Sequence, residues 1–142
     1  MGLAKDYLDK YHSLAVDLPE TWGTRYVALR QYVCGWERAV APSWALINAL
    51  RTVTACAFSV HVYTIDQTPE QWSITQQNLI WVFQGKGSPG DIATVVAMAY
   101  YCDLIRRPLQ RYRGATPLTL HQYCDSYLGL DCNGFVSNFL SV

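Results

Sequence analysis

The residues best suited to covalent chemistry are a cysteine and its neighbours, Asp131-Cys132-Asn133-Gly134-Phe135-Val136. A thiol attacks a carbonyl carbon only as thiolate, and an unperturbed cysteine, with a pKa of about 8.5, is mostly protonated at neutral pH. The first turn of a helix alters that balance, because its free amide groups and positive dipole end favour the anion. Asp131 is of the N-cap type, which puts Cys132 at the first helical position. Gly134 permits close packing or the approach of a substrate. Phe135, Val136, Phe139 and Leu140 recur as an apolar helix face that would anchor the helix on a sheet. The amide of Cys132 is placed to donate to an oxyanion formed by attack of its own sulfur.

The run Gly129-Leu130-Asp131-Cys132-Asn133-Gly134-Phe135-Val136 resembles the nucleophile segment of the NlpC-type family of papain-like cell-wall peptidases, whose members usually read Asp-Cys-Ser-Gly followed by two apolar residues. The resemblance is confined to this short segment. It implies a thiol hydrolase (a cysteine peptidase or amidase) with Cys132 as nucleophile, Asp131 in recognition of a substrate amine, and a peptide or peptidoglycan-type substrate. It implies no cofactor and no metal. Asn133 stands where the family has serine, so that substrate contact is not carried over. Tyr123 and Tyr127 lie upstream at spacings other than those of the family's tyrosine. In the family the histidine general base and a third, orienting polar residue follow on later strands. Ten residues follow Cys132 here, so the base is expected either in a continuation of the same protein or, in the permuted arrangement known among relatives, at His61. The alternative is a non-catalytic helical interaction domain in which Cys132 is structural, since free cysteine is among the most buried residue types.

The remaining candidates have simpler explanations. Cys34, Cys56, Cys102, Cys124 and Cys132 are odd in number and include no Cys-x-x-Cys, which argues against a disulfide framework or a zinc site. His12 and His121 read as surface residues. Gly85-Lys86-Gly87-Ser88-Pro89-Gly90 lacks the phosphate-loop register and reads as a capped turn between two helices. Arg106, Arg107, Arg111 and Arg113 cluster where a helix should end, where cations complement its dipole.

The elements that must position the cysteine read mainly as α, in a single domain or the N-terminal portion of a longer one. A helical region spans 1–115 and runs into a nucleophile-helix segment, 116–142, of a papain-like α+β fold. Leu3, Tyr7, Leu8, Tyr11 and Leu14 predict a helix over 3–15. Pro19 predicts the start of a second, with Trp22, Tyr26, Val27, Leu29, Tyr32 and Val33 as its apolar set and Gly35 as its stop. Pro42 opens a third, with Trp44, Leu46, Ile47 and Leu50. One strand is expected near 57–65, with Phe58, Val60 and Val62 on one face and Ser59, His61 and Tyr63 on the other. Thr68-Pro69-Glu70-Gln71 should cap a helix carrying Trp72, Leu79, Ile80 and Phe83 and ending near Gly85. Ser88-Pro89-Gly90-Asp91 should cap a central, buried helix from Ile92 to Ile105, and a short helix follows from about Leu118 to Tyr127.

Composition bounds the function. The chain is 51% hydrophobic and only 15% charged, a low charge that suits a surface covered by a partner or by the rest of a larger protein. Eleven basic residues balance eleven acidic ones, so no global field favours nucleic acid or anionic lipid. No apolar run reaches membrane-spanning length and no cleavable signal is apparent at Met1, which predicts a cytoplasmic protein or one exported without such a signal.

Overall fold

The computed structural model describes residues 3–18, 23–31, 40–53, 56–59, 62–65, 72–102, 104–105 and 119–140. The fold is mainly helical with small antiparallel sheets, a mixed α+β topology. The helices are α1 (Leu3–His12), α2 (Val40–Thr52), α3 (Gln76–Phe83), α4 (Pro89–Tyr101), α5 (Leu120–Tyr127) and α6 (Cys132–Leu140). The strands are β1 (Leu14–Asp17), β2 (Thr24–Val27), β3 (Cys56–Ser59), β4 (Val62–Ile65) and β5 (Trp72–Thr75). β1 and β2 form a hairpin with Leu14 opposite Val27, and β3, β4 and β5 form a three-stranded sheet in chain order.

α4 lies at the centre, as its all-round apolar sequence predicts. Ile92 and the run Val95 to Tyr100 are buried, and the helix packs on β1, β5, α2, α3 and α5. It begins where expected: the Ser88 hydroxyl accepts from the Asp91 amide at 3.2 Å, and Pro89 occupies the first turn. α4 stops at Tyr101, short of Ile105. α2 matches the run opened by Pro42, with Leu46, Ile47 and Leu50 fully buried. α5 starts at Leu120 behind a complete capping box, in which Thr119 and Gln122 exchange side-chain-to-backbone bonds.

The sequence reading is corrected at four places. The first helix ends at His12, because Leu14 and Val16 point into the core while Ala15 and Asp17 point out, a period of two and not 3.6. The helix expected from Pro19 gives way to β2 in its described part. Tyr26 is exposed while Val27 and Leu29 are buried two residues apart, so the apolar set belongs to a strand edge of the core. The single strand near 57–65 is two strands, paired with Ser59 opposite Val62, and in the second of them Tyr63 and Ile65 are buried while Val62 is half-buried. Trp72, expected on a helix, lies in β5, where Trp72 and Ile74 are buried and Ser73 and Thr75 are exposed. The helix proper starts at Gln76, with the Thr75 hydroxyl as cap. The Thr68 capping box, Gly35 and the arginine cluster at 106–113 lie outside the described residues.

Among the described residues no helix is long and apolar enough to cross a membrane. α1 closes the fold on the far side of the α3–α4 turn. Tyr11 is fully buried and its hydroxyl donates to the Gly87 carbonyl at 3.1 Å. Burial raises the Tyr11 pKa, and its approach to the Tyr7 hydroxyl raises it further. Replacing Tyr11 by Phe removes the donor and strands a buried carbonyl. It should lower unfolding stability by about 1–2 kcal/mol, read as a shifted urea midpoint with an unchanged slope.

Candidate thiol site at the start of α6

The motif around Cys132 is built from the α3–α4 turn upward. α3 ends as a helix whose last carbonyls are closed by the following turn: the Lys86 amide donates to the Trp81 carbonyl at 2.8 Å and the Gly85 amide to that of Val82 at 3.3 Å. Such an ending needs a left-handed residue between the two donors' turns, and Gly85 supplies it with φ of 82°. The Gly85 carbonyl is thereby turned outward, where it accepts from the Asp131 amide at 2.9 Å. One residue earlier the Leu130 amide donates to the Gln31 carbonyl at 3.1 Å. Gln31 also uses its side-chain amide on the carbonyls of Leu128 at 2.7 Å and Cys124 at 3.3 Å, tying off the end of α5. The segment leading into α6 is therefore fixed on both sides before the helix begins.

α6 starts at Cys132. Asp131 Oδ1 accepts from the Gly134 amide at 2.5 Å, and the Asp131 carbonyl accepts from Phe135 at 3.0 Å. These are the bonds of an N-cap, so Asp131 and Cys132 occupy the cap and first helical positions that their types predict. The amides of the first turn have no intrahelical carbonyl to bond, which leaves those of Cys132 and Asn133 directed out of the helix end. Gly134 faces the turn at close range: a Cβ there would stand 2.6 Å from both the Gly85 carbonyl oxygen and the Lys86 Cα. Asn138, one turn on, donates to the Lys86 carbonyl at 3.0 Å and to the Gly134 carbonyl at 2.8 Å.

The apolar face of α6 is met by a helix and not by a sheet. Phe135 lies 5.6 Å from Tyr7 and 6.0 Å from Tyr11, and Phe139 lies 5.7 Å from Tyr7, ring centre to ring centre. The other half of that face is open, with Val136 51% and Leu140 73% exposed. His61 lies outside the described residues. His12 and His121 are exposed, in keeping with surface roles.

Sequence reasoning missed the cleft beside α6. Trp81, Lys86, Asn133, Gly134, Ser137 and Asn138 line a space of about 280 Å³. Trp81 and Lys86 come from a turn that reads locally as nothing more than a helix stop. Only the seating of α6 against it makes a cleft.

No family model, curated protein or solved structure matches this chain. The arrangement at the start of α6 is thus judged on its own geometry. It holds Cys132 at the first position of a helix, next to amides without intrahelical acceptors, and beside a cleft with one cation among its lining residues and no acid. Cys124 has the opposite surroundings. It is buried on α5, and burial, with Asp125 next to it, pushes its thiol up to about 12, against a smaller opposing effect of Arg30.

Two outcomes are expected. Gly134→Ala drives a methyl group into backbone that cannot swing aside and should cost about 1–3 kcal/mol or more. Gly90→Ala, on α4 with nothing within 4 Å of a new Cβ, should be neutral or stabilising by up to about 1 kcal/mol; denaturant melts of the pair make the comparison. The raised Cys124 pKa means that the unfolded chain ionises first. The stability it contributes is complete below pH 9.0 and falls as pH rises from 9.0 toward 12. Urea midpoints between pH 8 and 10 should therefore fall more steeply for the parent protein than for Cys124→Ala, by about 1 kcal/mol in that interval.

Proposed function

We propose that this chain carries the nucleophile helix of a papain-like cysteine peptidase or amidase acting on a peptide, with peptidoglycan-type peptides the substrate class implied by its resemblance to the NlpC-type family. The observation that carries the reading is the position of Cys132: first residue of a helix, behind an aspartate cap, beside first-turn amides that have no intrahelical acceptor.

In this reading the Cys132 thiolate adds to the carbonyl carbon of an amide. The carbonyl π electrons move to oxygen, and the Cys132 amide donates to the oxyanion. A histidine that has taken the thiol proton delivers it to the leaving nitrogen as the C–N bond breaks, leaving a thioester. Water, deprotonated by the same histidine, then releases the acid and restores the thiol. His61 is the candidate base within this chain. A histidine on a later strand is the arrangement of the resembled family.

A second reading has its own support. Asp131, Gly134 and Asn138 are each accounted for by the seating of α6 on the Gly85–Lys86 turn, with no chemistry required. The open Val136 and Leu140 face suits a non-catalytic domain that packs on a partner. Thiol reactivity separates the two. At pH 6.5 an ordinary cysteine is about 1% thiolate, whereas a helix-activated one is largely ionised. Iodoacetamide labelling of the folded protein, followed peptide by peptide by mass spectrometry, should modify Cys132 at least about tenfold faster than a simple thiol, with Cys124 untouched. Labelling of Cys132 at the rate of a simple thiol removes the hydrolase and leaves the interaction domain.

A further inference from the structure

We infer that the cleft beside α6 is a subsite for a peptide carboxylate, with Lys86 as its charged partner and Trp81 as its apolar wall. The inference deepens the hydrolase reading, on which it rests for the identity of the peptide as substrate.

The lining decides the chemistry. Of the six residues around the cleft, Lys86 carries a positive charge and none carries a negative one. Asn133, Ser137 and Asn138 add neutral polar groups. The nearest acid in sequence, Asp131, has Oδ1 engaged by the Gly134 amide. Lys86 is exposed, and the ion pairs formed among the described residues, Lys5 with Asp9 and Arg30 with Asp125, do not involve it. An anion entering the cleft therefore meets a cation that neither ion pair among the described residues engages, with no acid among the lining residues themselves. A lone ammonium suits a carboxylate better than a phosphate, whose greater charge is usually met by an arginine fork or several cations.

The base of Lys86 is also unusually well fixed for a surface lysine. Its amide is bonded to Trp81, its carbonyl to Asn138, and its Cα lies where a methyl on Gly134 would strike it. Only the side chain has freedom left to lose on binding, which lowers the entropic cost of a contact. Trp81 is 44% exposed, a large apolar surface left open on the same turn. The turn that closes α3 places these two residues at the positions that commonly pack on each other, so the lysine stem and the indole border one space. That space is slightly below the usual range of small-molecule sites, roughly 300–1,000 Å³. It suits one residue of an extended peptide. Asn133, the residue after Cys132, is part of its wall, so a peptide held here passes the start of α6.

The test uses three probes on the full chain: acetyl-Ala-Glu-Ala-amide, acetyl-Ala-Gln-Ala with a free C-terminus, and acetyl-Ala-Gln-Ala-amide. The readout is the Trp81 indole N–H resonance, assigned by its loss in Trp81→Phe. A carboxylate probe should shift it, the first if the cleft takes a side-chain carboxylate and the second if it takes a chain terminus, while the neutral probe should not. Lys86→Ala should weaken the response at least about tenfold, and Lys86→Arg should retain most of it. Both substitutions leave the backbone contacts with α6 in place. Equal shifts from the neutral probe, no shift from any probe, or an undiminished response in Lys86→Ala would each overturn the inference. Carboxylate-dependent shifts with an unactivated Cys132 keep the cleft and remove the hydrolase. An activated Cys132 with shifts indifferent to Lys86 does the reverse.

Discussion

Two stretches of backbone meet side-on where Gly134 lies against Gly85 and Lys86, so close that a single methyl group has no room between them. Two hydrogen bonds span the same junction, the Asp131 amide on Gly85 and the Asn138 side chain on Lys86, while the Asp131 carboxylate closes the first turn of α6 on its own side. The direction of α6 follows from this junction, and with it the place of Cys132, the width of the neighbouring cleft and the side on which Phe135 and Phe139 meet α1. The turn can serve as a seat because it is fixed from below as well. Tyr11 binds the Gly87 carbonyl, and Ser88 caps the central helix. Removing a small neutral residue from the outer helix thus disturbs contacts that reach from α1 to α4.

The placement of the two described thiol-bearing segments at the end of the chain illustrates how position decides chemistry. Cys124 sits inside, where forming an anion would cost the desolvation of a charge, and its proton is held tightly. Cys132 follows eight residues later at a helix start, where amide groups lack intrahelical acceptors. Gln31 holds the intervening segment at Leu128 and Leu130, and Gly85 holds it at Asp131, so these contacts together set the relation of α5 to α6.

Much of the helical framework and the cap at Asp131 were legible in the sequence because their signals are local. Ser88-Asp91, Thr119-Gln122 and Asp131-Gly134 each pair a side-chain oxygen with the amide three residues on, and such bonds are written in short spacings. The β1–β2 hairpin was not legible. Its buried residues Leu14, Val16, Val27 and Leu29 alternate, yet each half is too short to tell a period of two from part of a helical stripe, and Tyr26 beside Val27 imitates the latter. Trp72 was misplaced for a related reason: the helix it was given to starts four residues later, at a threonine cap. The cleft was illegible because its two halves lie about fifty residues apart in the chain, and hydropathy carries no record of which turn a distant helix will rest on.

The aromatic contact between α1 and α6 joins helices from opposite ends of the described sequence. Closing so long a loop has a large entropic cost that local helices do not share, which places this contact late in folding. On a ribosome the delay is built in, since α1 must wait for Phe135 and Phe139 to be synthesised. The α3–α4 turn meanwhile forms from neighbouring residues and stands ready. Until α6 arrives, the aromatic face of α1 is uncovered and the segment bearing Cys132 is not yet held on that turn. The order of assembly therefore works as a safeguard: the cysteine gains its capped, oriented surroundings only after the rest of the framework exists to receive it.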